Sequence, residues 1–272
     1  MAFRALRQKL TRPKELGYVN TLQLAIRWAI RNLYRSALLI RWKIYRLRNF
    51  KPITHDDHWS EERIRQHLFA QENIIRAVLS SSTGQSFLEI GIGSEPRIER
   101  MQLILDNEIR YTGCDFKSVS STHQKTLELR GMLSDRIRFV ANEVGTYSWT
   151  LFALLQPNEQ FDIIFIDGHH TFYVDLPAFI LAHYLLKPGG YLLVDDITWT
   201  LSFLRRNLVE HFDQWCFYRN MYDFSEYAEE QQNIPHLKMI VEGLLLSRMG
   251  YTKVEEYSTP DRWLLRKPEA PL

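Results

Sequence analysis

Acidic side chains stand directly after several short apolar runs of this sequence, where they could act on a bound ligand. Asp115 follows the second run, Asp167 the fourth, and the pair Asp195 and Asp196 the fifth. Two histidines, His169 and His170, come shortly after Asp167. Carboxylates accept hydrogen bonds and bind hard divalent cations, whereas an imidazole can take up a proton near neutral pH. The pattern favours a site that combines ligand binding with proton transfer.

Two glycines follow the first apolar run, within the segment Glu89-Ile-Gly-Ile-Gly-Ser-Glu-Pro96. Gly91 and Gly93 permit a tight turn and a close approach of the backbone to a ligand. Pro96 stands where the dinucleotide-binding pattern G-x-G-x-x-G has its third glycine, which disfavours a nicotinamide-dependent oxidoreductase. The alternative is that the two glycines serve an ordinary turn.

The residues after the second and third runs could meet the sugar and the base of a nucleoside. Asp115 lies 22 residues beyond Gly93, where an acid can accept hydrogen bonds from both hydroxyls of a ribose. Asn142 and Glu143 could contact an adenine edge. The alternatives are a helix cap at Asp115 and a surface loop at residues 142 and 143.

Short apolar runs alternate with helix-length segments along most of the chain. Strands are predicted at Ser86–Gly91, Ile109–Cys114, Ile137–Ala141, Phe161–Ile166 and Tyr191–Val194. Helices are predicted at about Ser60–Leu79, Pro96–Asp106, Ser121–Leu133, Ser148–Leu155 and Val174–Leu186, with a turn at Lys187–Gly190. The order predicts an α/β fold with a Rossmann-like, doubly wound and mostly parallel sheet. In such sheets ligands bind outside the carboxyl ends of the strands.

The C-terminal part of the chain has a different pattern. A helix is predicted at about Pro235–Met249, and Tyr251–Ser258 with Arg262–Arg266 predict a closing antiparallel hairpin. Trp199, just beyond the acidic pair, could line an acceptor pocket or belong to the core.

The N-terminal segment is strongly basic. Residues 1–51 contain 13 Lys and Arg and one acid, Glu15, whereas the other 221 residues contain 21 basic and 31 acidic side chains. We therefore predict two parts, a basic amphipathic helical extension at 1–51 and a ligand-binding domain at 52–272. Between residues 21 and 48, arginines repeat opposite an apolar face, a pattern typical of helices on anionic membranes. Packing of the helix on the protein's own domain or on a second copy is the more common reason for such a pattern, and nucleic-acid binding and organelle targeting are further alternatives.

Composition excludes several classes of protein. Hydrophobic residues make up 45% and charged residues 24% of the 272 residues, which is typical of folded globular chains. Two cysteines, Cys114 and Cys216, exclude a disulfide scaffold and suit a reducing compartment. No apolar run approaches the ~20 residues that span a bilayer. The expected location is cytoplasmic, with the membrane surface as an option.

The motifs together resemble a class I S-adenosylmethionine (SAM)-dependent methyltransferase. The resemblance spans roughly residues 60–266 and rests on Glu89–Gly93, Asp115, Phe161–His170 and Leu186–Asp196. It implies SAM as the cofactor. It also implies that Glu89, Gly91 and Gly93 approach the methionine part of SAM and that Asp115 holds the ribose.

Some members of this family depend on a metal, among them the catechol-type and macrocin-type O-methyltransferases. Their acid after strand four and acidic pair after strand five hold Mg²⁺, and these positions match Asp167, Asp195 and Asp196. The alternative is that Asp167 contacts cofactor or substrate and that the pair is structural. The resemblance also predicts His170 as the base that deprotonates the acceptor, with His169 second, so His170, His169 and Asp167 are the expected catalytic residues.

The sequence thus predicts methyl transfer from SAM to a hydroxyl of a small molecule or glycan, with assistance by Mg²⁺. One alternative is a methyltransferase for RNA or protein, with the basic segment holding the polymer, although nucleic acid is the less favoured partner. A second is a non-catalytic scaffold of the same fold at a membrane. Peripheral membrane contact through residues 21–48 and a homo-oligomer are further hypotheses about partners.

Overall fold

The described part of the chain alternates helices and strands. The computed structural model describes residues 61–81, 86–142, 146–155, 159–207, 224 and 227–269, and seven single positions between 26 and 37. The strands are β1 (Ser86–Ile90), β2 (Arg110–Phe116), β3 (Ile137–Asn142), β4 (Phe161–Ile166), β5 (Leu186–Val194), β6 (Thr252–Lys253) and β7 (Trp263–Arg266). The helices are α1 (Glu61–Ser81), α2 (Ile98–Asp106), α3 (Lys117–Leu129), α4 (Tyr147–Leu155), α5 (Phe172–Leu185), α6 (Leu201–Asn207), α7 (Glu229–Gln232) and α8 (His236–Ile240).

The strands form one sheet in the order β3-β2-β1-β4-β5-β7-β6. The first five are parallel, and β7 pairs antiparallel with both β5 and β6. From β1 the chain first adds strands on one side, to β3, and then crosses to β4 on the other side. The predicted Rossmann-like, mostly parallel sheet with a C-terminal antiparallel pair is confirmed.

Alternate residues of the strands supply two separate cores, because successive side chains of a strand point to opposite faces. One core joins β1, β4 and β5 to α4, α5 and α8, with members that include Leu88, Ile164, Leu192, Leu151, Phe179 and Leu237. The other joins the same strands to α1, α2 and α3, with members that include Phe87, Phe165, Leu193, Ile75, Ile104 and Leu127. Helices on both faces explain why the strands are apolar throughout.

The C-terminal half departs from the predicted elements in three places. In the predicted hairpin segment Tyr251–Ser258, strand β6 covers only Thr252–Lys253, and a 3₁₀-helix follows at Glu255–Tyr257. The predicted turn at Lys187–Gly190 lies inside β5, which begins at Leu186 and contains a register shift against β4. Gly189 has a φ of +73°, so the strand can bend there without ending. The helix predicted at Pro235–Met249 consists of α8 followed by a π-helix at Val241–Leu246.

The N-terminal segment belongs to a separate unit, since the chain divides at Met1–His55 and Asp56–Leu272. Most of residues 1–51 and the start of the first predicted helix at Ser60 lie outside the described residues, so the predicted extension remains a prediction. The described positions in it are helical, and Ile26, Ile30 and Leu33 are exposed. No helix among the described residues has the length and apolarity needed to cross a membrane.

Candidate active site

The ends of four neighbouring parallel strands lie side by side at one edge of the sheet. Ile90 of β1 is in register with Cys114 of β2 and with Ile166 of β4, and Ile166 is in register with Val194 of β5. The residues that follow these four are Gly91, Asp115, Asp167 and Asp195. The sequence-predicted site residues therefore meet at the point where the strand order reverses, which is where open α/β sheets bind ligands.

The two glycines of the loop after β1 have different surroundings. Gly91 has a φ of +83°, and a Cβ atom there would overlap the carbonyl oxygen of Asp167. Gly93 has a φ of +71°, and a Cβ atom there would meet nothing within 4 Å. Gly91 is thus required by the protein's own packing, whereas Gly93 borders a space that a ligand could occupy.

Asp115 holds the glycine loop against the end of β2. Its Oδ2 accepts a hydrogen bond from the backbone N–H of Ile92 at 3.0 Å, and its Oδ1 accepts one from Phe116 at 2.6 Å. Burial raises the pKa of Asp115, and these backbone donors oppose the shift. Asn142 is buried at the end of β3, where it pairs in register with Phe116, so it lies at the same edge. Glu143 lies outside the described residues.

Glu89 takes part in a buried ion-pair network. One of its oxygens is paired with the guanidinium of Arg100, and the other accepts a hydrogen bond from the Tyr111 hydroxyl at 2.7 Å. Arg100 also binds Glu72 and donates to Oε1 of Gln71 at 2.7 Å. Burial alone would lower the pKa of Arg100, but Glu89 and Glu72 raise it above its ordinary value. The predicted contact of Glu89 with the cofactor stays a prediction, and the structure adds this second role.

The three predicted metal ligands share an acidic environment in which Asp195 and Asp196 are buried and Asp167 is partly buried. Gln71 donates to Oδ2 of Asp195 and, at 3.4 Å, to Oδ2 of Asp167. The other oxygen of Asp195 lies 2.5 Å from Nε of Arg262. Burial, together with neighbouring Asp195, raises the pKa of Asp167 to about 8 and that of Asp196 well above its ordinary value. Because neighbouring carboxylates resist carrying their negative charges at the same time, they provide a suitable environment for a divalent cation.

Two histidines flank Asp196. Nε2 of His170 lies 3.6 Å from Oδ2 of Asp196 and 3.8 Å from Oδ1 of Asp167, and Nε2 of His67 lies 3.4 Å from Oδ1 of Asp196. Burial lowers the pKa of His170 to about 4, so its imidazole is neutral at pH 7. His170 and Asp196 have φ values of +61° and +52°. Strained backbone of this kind concentrates at functional sites.

His169 points to different partners from those of His170. Its Nδ1 lies 2.9 Å from the hydroxyl of Thr171, and its backbone N–H donates to the Tyr147 hydroxyl at 3.2 Å. Trp199 lies beside the other two histidines, with ring centroids 5.2 Å from His170 and 6.3 Å from His67. The geometry favours His170 over His169 as the proton acceptor and supports Trp199 as a wall of the site.

Sequence reasoning missed four residues of this site: His67, Gln71, Arg100 and Arg262. A signal existed for two of them, because His67 and Gln71 are four residues apart on the predicted first helix. They share a face with the buried Ile74, Ile75 and Val78. Because that face packs on the sheet, its polar residues His67 and Gln71 could be expected to lie near the acids at the sheet's edge.

A match to a known family covers most of this edge. Residues 97–197 match the model of a family described as a methyltransferase domain. Residues 97–197 are thus similar to a methyltransferase domain. The match agrees with the resemblance to class I SAM-dependent methyltransferases on which the sequence prediction rests. The match includes Asp115, Asp167 and the acidic pair, and it begins just after the glycine loop.

The chain also resembles solved structures at low identity. The O-methyltransferase TomG from Streptomyces achromogenes, in complex with SAM, is 15% identical, with a TM-score of 0.45 over 79% of this chain and 83% of that one. An O-methyltransferase from Bacillus cereus, in complex with SAH, is 13% identical, with a TM-score of 0.45 over 78% and 83%. The N-methyltransferase NodS from Bradyrhizobium japonicum WM9 is 17% identical, with a TM-score of 0.44 over 77% and 100%. No curated protein matches the sequence.

Proposed function

We propose that this methyltransferase transfers the methyl group of SAM to a hydroxyl of a small molecule or glycan. The observation that carries the proposal is the position of His170, whose Nε2 lies within 4 Å of both Asp167 and Asp196 at the same sheet edge as the glycine loop. An amine acceptor needs no buried acidic cluster, whereas a hydroxyl gains from a base and a cation beside it.

The cofactor is expected on the glycine-loop side of this edge. The open space at Gly93 would admit the methionine part of SAM, and Asp115 would accept hydrogen bonds from the ribose hydroxyls. Asn142 lies one strand further, where an adenine would lie. The backbone donors on Asp115 fix its carboxylate before the cofactor arrives, which reduces the entropy lost on binding.

Exchanging Gly93 for alanine is expected to weaken the binding of SAM and of its product S-adenosylhomocysteine (SAH) by about tenfold or more, because the added methyl group fills the space that the cofactor needs. Gly131→Ala is the matched control, since Gly131 also has a positive φ, +65°, and open space around it, but lies at the end of α3. Both substitutions should cost about 1–2 kcal/mol of stability from backbone strain. Calorimetric titration with SAH gives the affinities, and equal affinities for the two variants would contradict the proposed cofactor position.

The acceptor hydroxyl is expected on the other side, between His170 and the acids. Neutral His170 would take the hydroxyl proton at Nε2. Trp199 would exclude water and orient a ring or sugar face. Asp167, Asp195 and Asp196 would hold a divalent cation, Mg²⁺ in the family that the sequence resembles, which lowers the pKa of a bound hydroxyl. A fit to a cation is supported by Oδ1 of Asp196, which is buried and accepts no hydrogen bond from the described residues.

The acceptor can be found by a screen. The full-length protein is incubated with SAM, MgCl₂ and a panel of catechols, phenols and sugars, beginning with 3,4-dihydroxybenzoate, and SAH release is measured. RNA and basic peptides are included as separate arms, because a polymer acceptor is the alternative. Methylation of an amine or of a polymer, with no hydroxyl compound active, would contradict the proposal.

A second proposal concerns the N-terminal segment, which we infer contacts an anionic membrane surface. Ile26, Ile30 and Leu33 have spacings of four and three residues, which places them on one helix face, and they are 48%, 60% and 71% exposed. The sequence around them is rich in arginine. Apolar area and positive charge together give such helices their affinity for anionic lipids.

Replacing Ile26, Ile30 and Leu33 together by aspartate is expected to lower co-sedimentation with phosphatidylserine vesicles by about fivefold or more, since the change removes apolar area and adds negative charge. The control is Leu129→Asp, at an exposed apolar position at the end of α3. Sedimentation of the triple variant at the wild-type level would exclude this membrane contact.

A further inference from the structure

Asp196 lies between two histidines, only one of which belongs to the motifs of the family resemblance. Its two oxygens face different histidines, His170 at Oδ2 and His67 at Oδ1. His170 belongs to the motif after strand four, whereas His67 comes from helix α1, which lies outside all the motifs quoted for the resemblance. Asp196 Oδ1 is buried, and no hydrogen bond to it is found within the described parts of the chain. A buried carboxylate oxygen of this kind requires a partner.

His67, Asp195 and Asp196 meet the distance requirement of a common cation. Nε2 of His67 lies 3.4 Å from Asp196 Oδ1 and 3.8 Å from Asp195 Oδ2. One donor atom from each of the three residues lies within 4.8 Å of the other two. Bonds of about 2.0–2.2 Å to a metal place neighbouring ligand atoms about 3–4 Å apart, so a cation fits between these groups with small adjustments.

The neighbours of Asp195 are those expected around a metal-ligating carboxylate. Arg262 lies against Oδ1, and Gln71 donates to Oδ2, so both oxygens are oriented by buried protein groups. A carboxylate oxygen has a second lone pair, and Oδ2 can therefore bind a cation while it accepts from Gln71. Gln71 is itself fixed by the guanidinium of Arg100. Outer-shell contacts of this kind commonly fix the ligands of metal sites.

The acids at this edge outnumber the arginines that pair with them, which favours the binding of a cation. Arg262 offsets Asp195, and Arg100 offsets Glu89. Asp167 and Asp196 have no Lys or Arg at ion-pair distance among the residues that the structure describes. One buried and one partly buried carboxylate without a fixed cationic partner match the charge of one divalent ion.

We propose that His67 is a ligand, with Asp195 and Asp196, of a divalent-cation site that selects a transition metal of the Co²⁺, Fe²⁺ or Zn²⁺ type over Mg²⁺. Mg²⁺ prefers oxygen ligands and retains its waters, whereas an imidazole nitrogen suits the first-row transition metals. This inference rests on the proposed function for the place of the cation in the site. It adds His67 to the proposed ligands and leaves His170, on the other side of Asp196, available to the acceptor.

The test measures metal binding in the absence of an acceptor. Full-length protein is stripped with a chelator, freed of it, saturated with SAH and titrated with CoCl₂ or MgCl₂ in a calorimeter. We expect one Co²⁺ per chain, and His67→Gln should weaken Co²⁺ binding by about tenfold or more while it changes Mg²⁺ binding far less. His183→Gln is the matched control, because His183 lies on α5 beside Tyr251. It should leave both affinities unchanged.

A second measurement detects the histidine ligand directly. The proton NMR spectrum of the Co²⁺-loaded wild-type protein should contain a strongly shifted, exchangeable imidazole N–H signal, which His67→Gln removes. Saturable SAH binding without Co²⁺ binding, or equal Co²⁺ affinity in wild type and His67→Gln, would overturn the inference and leave the proposed function standing. Failure of the wild-type protein to bind SAH would instead overturn the proposed function.

Discussion

Replacing Arg100 by methionine is expected to lower the free energy of unfolding by about 3–5 kcal/mol, because it leaves the buried carboxylate of Glu89 without a cationic partner. Arg100 is 2% exposed and Glu89 is 4% exposed, so water cannot take the place of the guanidinium. Methionine retains much of the volume of the arginine stem, which separates the electrostatic cost from that of a cavity. Urea denaturation measures the difference.

Two further variants test whether the loss comes from an unpaired charge. Glu89→Gln in the Arg100→Met background removes the buried charge, so the double variant should be more stable than Arg100→Met alone. Arg138→Met is the control on the surface, where Arg138 pairs with Glu159. Because exposed pairs contribute little, it should cost at most about 1 kcal/mol. Similar losses for Arg100→Met and Arg138→Met would show that the buried network does not stabilise the fold.

The sequence was sufficient to predict which acids follow the strands at the edge of the sheet. It was not sufficient to predict which residues of other elements contact them. Parallel strands end at one edge whatever their order, so an acid directly after an apolar run lies there by topology alone. Asp115, Asp167 and Asp195 could therefore be placed without knowing which strands are neighbours. Arg262 could not, because it reaches Asp195 only when β7 pairs with β5, and this pairing crosses about 70 residues of sequence.

Residues whose partners lie on other elements were assigned incomplete roles. Glu89 was predicted from the resemblance as a cofactor contact, but its partner Arg100 follows the glycine loop on α2, and no local pattern reports such a pair. The turn at Lys187–Gly190 was wrong for a related reason. Pro and Gly indicate a turn in isolation, but β4 pairs with Leu186 before this stretch and with Tyr191 after it, so the stretch forms an irregularity within β5.

His170→Gln is expected to lower kcat for the hydroxyl acceptor found in the screen by about 10²–10⁴-fold, the range for losing a general base. Glutamine can still accept a hydrogen bond but cannot take the proton. The affinity for SAH should stay within about threefold, because the contacts of His170 are with the acids and Trp199 rather than with the glycine loop. Kinetics under saturating SAM, with SAH affinity measured in parallel, separate the two effects.

The neighbouring histidine decides between the two candidates for the base. Nε2 of His170 lies beside two carboxylates of the site, whereas Nδ1 of His169 lies against Thr171 and its backbone meets Tyr147. His169→Gln should therefore lower kcat by less than about tenfold, through displaced packing rather than a lost proton acceptor. If His169→Gln were the more damaging change, the base would be His169 and the acceptor would have to approach from the side of Tyr147. A loss of SAH affinity that accounts for the whole effect of His170→Gln would instead make this residue part of the cofactor site.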